Sequence, residues 1–362
     1  MNTGSQVSGY IRQDSRAVPT QDGLAQLTIG PSVEAIPHVL TPEQYQDLVT
    51  EAHQRLQQGI AQYHQGAHHA ALADFQLALQ TYRTLEDLTA EAQLLIVIAR
   101  LHYSLGAYLW TIDYARQSLA IAHRLEERPL MQEALSHLGN SYRHLGDLDK
   151  ASNAMAQSLQ LAQELEDVPA TMRALNNLAL IYRTQNNAEV AAQLYENSLA
   201  LAESLGDRTT QEQLLRNLGN THHALGDSAK AITYYDRLLR FARDRMDHQV
   251  VSKILRNLNS ACYALGDYGR AIAYLQERLE LVRQLGDRRA ETQTLESLGI
   301  AYDALGDSPQ ALQCREDRLK AALELPDYLL QRQAFVSLKM ACLAAGDFER
   351  VQRYIHYLTD SM

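Results

Sequence analysis

Small and hydrophobic residues recur along this chain at a fixed spacing of forty residues, eight times in register. One recurring position is held by Gly59, Ala99, Gly139, Ala179, Gly219, Asn259, Gly299 and Lys339. A second, seven residues further on, is held by Gly66, Gly106, Gly146, Asn186, Gly226, Gly266, Gly306 and Gly346. A constant period between about 20 and 50 residues is typical of proteins built from stacked repeats. The pattern therefore predicts eight repeats rather than one large globular core.

Each repeat is predicted to form two α-helices joined by a tight turn, as the third repeat illustrates. One face of its first helix carries Leu135, Leu138, Tyr142 and Leu145, spaced at i, i+3, i+7 and i+10. The turn follows at Gly146, which tolerates a left-handed backbone, and at Asp147, which is suited to capping the next helix. The buried face of the second helix carries Ala151, Met155 and Leu159. No segment alternates in the way of a strand, so the sequence predicts an all-α chain.

The first forty residues differ from the rest in composition. They are rich in Ser, Gln, Thr, Gly and Pro and have few large apolar side chains, which is typical of a disordered tail. Helical order is predicted to begin at Thr41, because Thr is a good N-cap, Pro42 fits the first helical position and Gln44 has capping-box spacing. The predicted organisation is a disordered tail over residues 1–40, followed by one repeat superhelix over residues 41–362.

Glycine inside a predicted helix needs a reason, because it costs roughly 1 kcal/mol relative to alanine. Gly139, Gly219 and Gly299 recur in the first helices, and Ala151 and Ala231 mark the matching small position in second helices. This recurrence predicts a close contact between the two helices of a repeat, where a larger side chain does not fit.

The recurring residues resemble those of the tetratricopeptide repeat. Its pattern of Leu-Gly, an aromatic residue three positions later, then Gly and Ala, is seen in Leu138, Gly139, Tyr142, Gly146 and Ala151. The resemblance covers about residues 43–359, and the forty-residue period is similar to a long-helix subclass that includes Pins-type spindle adaptors, kinesin light chains and bacterial regulatory chains. It implies a right-handed α-solenoid of about eight helix-turn-helix units, whose first helices line a concave groove for a peptide or a partner helix.

The implied groove places a stripe of residues on each first helix, six and three positions before the recurring small residue and one and four after it. In repeats 3 to 6 the stripe consists of Glu133, Ser136, Asn140 and Arg143; Arg173, Asn176, Leu180 and Arg183; Gln213, Arg216, Asn220 and His223; and Lys253, Arg256, Ser260 and Tyr263. Asn177, Asn217 and Asn257 stand beside it. The stripe holds six Lys or Arg residues and one Glu, although the chain has a net charge of −10.

These side chains favour an acidic peptide as the ligand. Asn offers one donor and one acceptor to a peptide backbone, and the fork of Arg matches a carboxylate. The predicted partner-binding residues are Asn140, Arg143, Arg173, Asn176, Arg183, Arg216, Asn217, Asn220, His223, Lys253, Arg256, Asn257 and Tyr263. The alternative is that exposed helix faces carry Arg, Asn and Gln in any case, and that the three consecutive Asn residues tie neighbouring helices together.

The outer repeats differ from the centre. In repeats 1 and 2 the stripe positions predict a more apolar surface, formed by Leu56, Ile60, Tyr63, Ile96, Arg100 and Tyr103. This surface is either open to a partner or covered by the N-terminal tail. Glu296 and Asp303 predict an acidic repeat 7. The last helix has an apolar face formed by Phe348, Val351, Tyr354, Ile355 and Leu358. Self-association of the protein through this face is possible.

Composition narrows the class of protein. The net charge of −10 and a pI near 5.7 argue against nucleic-acid binding, which needs a basic surface. Three scattered cysteines form no CxxC motif, so a reducing compartment and a cytoplasmic location are expected. The N-terminus lacks a secretory pattern and no stretch is long and apolar enough to insert into a membrane.

No catalytic constellation is apparent. Phosphate-loop, dinucleotide, metalloprotease and nucleophile-elbow motifs are missing from the sequence. Gly66 separates His64 from His68 and His69 at a predicted turn, so a shared metal is not expected, and His222, Cys262 and Cys342 fall at a predicted core position. We predict a protein that is not an enzyme and that has no cofactor or metal.

The predicted function is that of a scaffold or adaptor that binds a partner protein in the groove. One alternative is an assembly or maturation factor that holds a subunit while a larger complex is built. Another is a peptide-sensing regulator. Such regulators usually carry an effector segment ahead of the repeats, and the short stretch of about forty residues there counts against this alternative.

Overall fold

The computed structural model describes residues 41–359, with the side chains of the last helix described only in part. The predicted tail over residues 1–40 lies outside the described residues. Within the described range the chain forms sixteen helices and no strand. The prediction of an all-α solenoid is confirmed.

The chain divides into two compact parts between Gln185 and Asn186, in the turn of repeat 4. We call the described residues up to Gln185 the N-terminal half and those from Asn186 the C-terminal half. The N-terminal half contains α1 (Pro42–His64), α2 (His68–Thr84), α3 (Leu88–Ser104), α4 (Tyr108–Leu125), α5 (Arg128–His144), α6 (Leu148–Glu164) and α7 (Val168–Thr184). The C-terminal half contains α8 (Ala188–Ser204), α9 (Arg208–Ala224), α10 (Ser228–Asp244), α11 (His248–Ala264), α12 (Tyr268–Gln284), α13 (Arg288–Leu305), α14 (Ser308–Leu323), α15 (Tyr328–Ala344) and α16 (Phe348–Thr359). The division of the chain into tail and superhelix stays a prediction.

Local hydrogen bonds set the helix boundaries. The capping box at Thr41 is confirmed, since its hydroxyl accepts from the Gln44 backbone N–H at 3.3 Å and the Gln44 side chain accepts from the Thr41 N–H at 3.0 Å. Most of the later helices begin at an aspartate N-cap of the kind predicted for Asp147, whose carboxylate accepts from the Lys150 N–H. The helices α2 and α4 begin instead at Ala67 and Ala107, which have no side-chain cap. Turns take a left-handed residue, which is glycine in most repeats and Asn186, with a φ of 61°, in repeat 4.

Within each half, every helix packs against the next one in sequence, so the core is a stack of helix pairs. The close contact predicted at the recurring glycine is confirmed at Gly219 and Gly139. A Cβ added at Gly219 would lie 2.4 Å from a ring carbon of Tyr235, and one added at Gly139 would lie 2.9 Å from the Met155 methyl group. The prediction is wrong for Gly299, where the nearest atom, the Ala311 carbonyl oxygen, lies at 3.5 Å.

Candidate functional site

In the N-terminal half, residues at the stripe positions of neighbouring first helices contact one another. Arg100 of α3 forms an ion pair with Glu133 of α5. The Tyr103 hydroxyl lies 3.0 Å from Nε2 of His144, which also stacks on the ring of Tyr108 at 4.3 Å. The stripe positions of successive first helices therefore form a shared face, as the resemblance implies.

Glu133 is held in its charged form on this face. Burial raises its pKa, but hydrogen bonding to His137 and the positive charge of Arg100 outweigh burial and lower the pKa to about 2. Arg100 is thereby occupied by a carboxylate of the protein itself. At Arg100 and Glu133 the stripe is therefore an internal ion pair rather than an open basic surface.

In repeats 1 and 2, Leu56 and Ile96 are not open to a partner, and a cover by the tail stays a prediction because residues 1–40 lie outside the described range. Their exposed fractions are 0% and 2%, and Ile60 and Tyr63 pack against the core cluster that contains Leu56. The physical reason lies in α3, where every residue from 94 to 99 is buried. This run is apolar on every side, so Ile96 packs inside the helix stack rather than on an open face.

The predicted binding residues of the N-terminal half are only partly accessible. Arg173 is exposed, whereas Asn140, Arg143, Asn176 and Arg183 are half-buried. Nη2 of Arg143 lies 2.9 Å from Nε2 of His144, while its Nε is buried and has no hydrogen-bond partner among the described residues. Oδ1 of Asn176 is also buried without a partner in this range. These side chains combine fixed positions with unused hydrogen-bonding capacity.

The predicted binding residues of the C-terminal half are more open. Arg216, Asn220, Lys253, Arg256 and Tyr263 are exposed, whereas Asn217, His223 and Asn257 are half-buried. Nε2 of His223 lies 2.9 Å from the hydroxyl of Ser260, and this contact joins α9 to α11 across their stripe positions. The stripe residues of repeats 5 and 6 therefore lie on adjacent helices of one face.

Three cations on this face have no anionic partner. Arg216, Lys253 and Arg256 make no ion pair with any residue in the described part of the chain. Other arginines of the same half are neutralised at close range: Arg237 by Glu203, Arg243 by Glu277 at 2.7 Å and Arg245 by Glu212 at 2.9 Å. We call Arg216, Lys253 and Arg256 the open cation set.

The asparagines do not tie the helices together. Asn177, Asn217 and Asn257 make no side-chain hydrogen bond within residues 41–359. Asn220 does have a structural contact, because its Oδ1 accepts from the Tyr235 hydroxyl at 2.7 Å. The amide groups of Asn217 and Asn257 therefore keep their hydrogen-bonding capacity beside the open cation set.

The predicted acidic character of repeat 7 is wrong. Oε1 of Glu296 lies 3.0 Å from Arg318, and Asp303 forms an ion pair with Arg315. Both arginines project from the second helix of the repeat, α14, so the sequence stripe of the first helix did not include them. The two carboxylates are compensated rather than free.

Sequence reasoning also missed an exposed apolar stripe in the last repeats. Ile300, Val336, Met340 and Leu343 occupy stripe positions and are 39% to 62% exposed. The sequence carries the signal for it, because all four residues are apolar and stand at stripe positions of repeats 7 and 8. On α16, Phe348 is 63% exposed, and the side chains of Val351, Ile355 and Leu358 lie outside the described residues. Self-association through α16 stays a prediction.

Two titratable side chains at predicted core positions, His222 and Cys262, are accounted for by packing. His222 is buried and stacks on Tyr234 at 5.4 Å, as expected for a core position. Burial raises the pKa of the Cys262 thiol to about 11. No group of three or more His, Cys, Asp or Glu residues that could hold a metal occurs in the described range. None of the described helices is long and apolar enough to cross a membrane.

The family follows from the repeat sequence. A family model described as tetratricopeptide repeat matches residues 130–204, 210–284 and 250–324, which together make up more than half of the chain. The chain therefore belongs to the tetratricopeptide repeat family, a class of protein-interaction modules. A comparison with curated proteins finds no match.

Solved structures show the same fold. A signal-transduction ATPase with a tetratricopeptide repeat sensor from Pyrococcus horikoshii is 16% identical, with a TM-score of 0.57 over 88% of this chain and 49% of that protein. RapI is 13% identical, with a TM-score of 0.53 over 71% of this chain and 99% of RapI. Aspartyl phosphate phosphatase F from Bacillus subtilis is 16% identical, with a TM-score of 0.52 over 77% of this chain and 72% of that protein. At these identities the likeness concerns the fold alone.

Proposed function

We propose that this protein is an interaction scaffold that binds an acidic segment of a partner protein on the stripe face of repeats 5 and 6. The observation that carries the proposal is the open cation set, three exposed positive charges without a counter-ion on a chain of net charge −10. An acidic ligand would supply the missing negative charge. Because the net charge of the chain is negative, the positive charges of the open cation set would also direct an acidic ligand to this face.

The neighbouring groups suit an extended peptide. Asn217 and Asn257 stand forty residues apart on adjacent first helices, and each has a free amide group that can pair with a peptide C=O and N–H. Tyr263, 39% exposed and packed against Tyr268 at 5.2 Å, adds a held aromatic surface at the end of the stripe. In the N-terminal half, Asn140, Arg143, Arg173, Asn176 and Arg183 are proposed as further contacts for the same class of ligand.

The test is a pull-down from native cell extract with the wild type beside the double variant Arg216→Glu/Arg256→Glu, read by mass spectrometry. We expect the partner to be lost in the variant, because both side chains are exposed and their reversal changes charge without opening the core. Unfolding midpoints of the two proteins should agree closely.

A matched control variant changes the net charge by the same amount but at residues outside the stripe. Lys230→Glu/Arg240→Glu alters two exposed cations of α10 and should retain the partner. A partner that survives in Arg216→Glu/Arg256→Glu, or that is lost equally in the control, would contradict the proposal. The identity of a captured partner also separates the alternatives: subunits of one complex would favour an assembly factor, and a small peptide would favour a peptide-sensing regulator.

A further inference from the structure

The exposed apolar stripe of the last repeats stays uncovered in the described part of the chain. Val336, Met340 and Leu343 are spaced by four and three residues on α15, so they share one face of that helix. Ile300 holds the repeat position of Met340 on α13. Single exposed apolar residues are ordinary on a protein surface, whereas several at neighbouring positions mark an interaction site. The exposed apolar stripe therefore calls for an occupant.

This stripe belongs to the same row of first helices as the open cation set. His223 of α9 contacts Ser260 of α11. The helices α11 and α13 flank α12, because Arg278 of α12 lies 3.3 Å from the hydroxyl of Ser252 on α11 and donates to the hydroxyl of Thr294 on α13 at 2.7 Å. One ligand can therefore pass from the first helix of repeat 5 to those of repeats 6 and 7.

A cleft of about 510 Å³ connects the last two helices of this row. It is lined by Glu296 of α13, by Arg318 of α14, and by Leu329 and Val336 of α15. Its volume lies within the range of clefts that hold ligands. Val336 belongs both to the cleft and to the exposed apolar stripe, and Leu329 is 64% exposed. The cleft therefore gives an apolar side chain of a ligand a place to insert beside the stripe.

The charges around the stripe suit a ligand that is also acidic. The two carboxylates at stripe positions of repeats 5 to 8, Glu296 and Asp303, are both paired with arginines of α14. Arg332 of α15 lines the cleft and makes no ion pair with a described residue. Unpaired positive charge is therefore present both in the open cation set and beside the exposed apolar stripe, while neither carboxylate is free to repel an acidic chain.

We propose that the acidic segment bound by the open cation set continues onto repeats 7 and 8 and carries large apolar side chains there. The ligand is one partner segment with two blocks: an acidic block on repeats 5 and 6, and an apolar block on the exposed apolar stripe with one side chain in the cleft. The acidic block directs the approach, and the apolar block removes hydrocarbon surface from water. This inference rests on the proposed function, because it specifies the composition of the same ligand.

The length of the segment follows from the row of helices. Packed helices lie about 10 Å apart and an extended chain rises about 3.3 Å per residue, so a segment that reaches from repeat 5 to repeat 8 has at least about nine residues. The probe is a phage-displayed library of random peptides longer than this, selected on the full chain. We expect enriched peptides to carry Asp or Glu in one part and Leu, Ile, Met or Phe in the other. Enriched peptides with acidic residues alone would overturn the apolar block and leave the proposed function standing.

Variants of the stripe test where the apolar block binds. Val336→Thr/Met340→Gln removes apolar surface at two exposed positions without changing the charge, so an enriched peptide should bind at least about tenfold more weakly. Met246→Gln makes the same exchange at an exposed methionine in the turn before α11 and should bind the peptide like the wild type. Unchanged affinity in the double variant, or an equal loss in Met246→Gln, would refute the apolar block.

A modified peptide tests the same contact from the other side. With its apolar residues replaced by Ser, the peptide should bind the wild type more weakly and should no longer distinguish it from Val336→Thr/Met340→Gln. If the Ser peptide still distinguishes them, the variant acts through the fold and the contact is refuted. Binding that is lost in Val336→Thr/Met340→Gln but retained in Arg216→Glu/Arg256→Glu would refute the proposed function and, with it, the ligand of two blocks.

Two other occupants of the stripe predict different results. A second copy of this chain predicts that Val336→Thr/Met340→Gln lowers the mass found by analytical ultracentrifugation and leaves peptide binding unchanged. The chain's own N-terminal residues predict enriched peptides that reproduce a stretch of residues 1–40. Either result, or a library that yields no enriched peptide, would overturn the assignment of the exposed apolar stripe to a partner segment.

Discussion

At the scale of single residues, the recurring glycine of the first helices is explained by the side chain that faces it sixteen positions later. Gly59 faces Phe75, Gly139 faces Met155 and Gly219 faces Tyr235. At repeat 7 the facing residue is Arg315, which turns towards Asp303 and leaves the space beside Gly299 open. The recurring glycine position is therefore required by packing in some repeats and not in repeat 7.

This difference predicts opposite outcomes for one substitution. Gly219→Ala should destabilise the protein by about 1–3 kcal/mol, because the ring of Tyr235 is buried and held by its hydrogen bond to Asn220. Gly299→Ala should be neutral or stabilising by up to about 1 kcal/mol, because alanine is the better helix former and its Cβ has room. Urea unfolding of both variants is the measurement. Equal destabilisation would mean that the recurring glycine serves the backbone and not the packing.

At the scale of the helix, an aspartate N-cap starts most of the helices. The Asp267 carboxylate accepts from the backbone N–H of Arg270 at 3.0 Å, and the Arg270 side chain lies beside it. These hydrogen bonds lower the pKa of Asp267, with the backbone bond first and the side-chain bond second. The pKa of Asp147 is lowered by the side chain of Lys150 first and by its backbone N–H second, and the pKa of Asp327 by the backbone N–H of Leu330 first and by the side chain of Arg289 second.

The lowered pKa values predict the direction of the pH dependence. A carboxylate whose pKa is lower in the folded than in the unfolded chain stabilises the fold above its ordinary pKa of about 4, and this contribution is lost as the pH falls through the folded value. Asp267→Asn keeps a capping oxygen but cannot titrate. The difference in urea midpoint between wild type and variant should be greatest near neutral pH and should shrink as the pH falls below about 4. The exposed Glu280, replaced by Gln, is the control and should show little difference at any pH; a pH-independent gap for Asp267→Asn would contradict the role of its charge.

At the scale of the whole molecule, the sign of the charge differs between the chain and its candidate site. The net charge is −10, while the open cation set concentrates unneutralised positive charge on one face of the C-terminal half. The net charge of the chain disfavours the approach of an acidic partner, whereas the open cation set attracts it. Long-range attraction of this kind acts mainly on the rate of association.

Salt should therefore weaken association with an acidic partner. The screening length falls from about 10 Å at 0.1 M salt to about 3 Å at 1 M, which removes most of the attraction between exposed charges. Stopped-flow association of a captured partner should slow steeply as NaCl is raised, and the slope should flatten in Arg216→Glu/Arg256→Glu. An association rate that salt leaves unchanged would mean that apolar contacts, such as those of the exposed stripe in the last repeats, dominate recognition.

The sequence by itself determined the repeat, the helix pairs, the caps and the turns. These depend on local chemistry: a left-handed glycine at Gly146, an N-cap at Asp147 and a capping box at Thr41 act within a few residues of the chain. The forty-residue period also indicated which positions of adjacent first helices are neighbours. The contact between His223 and Ser260 follows from that placement.

Only the tertiary structure decided which stripe residues are free. Arg100 and Arg216 are both stripe residues, but Arg100 pairs with Glu133 of the next first helix, whereas Arg216 pairs with no carboxylate among the described residues. Glu296 and Asp303 suggest an acidic surface in the sequence, but in the structure both pair with arginines of α14. The physical reason is that pairing and burial depend on side chains from neighbouring helices, which are tens of residues away in the chain. A periodic pattern places those helices but does not specify where the ends of their long side chains lie.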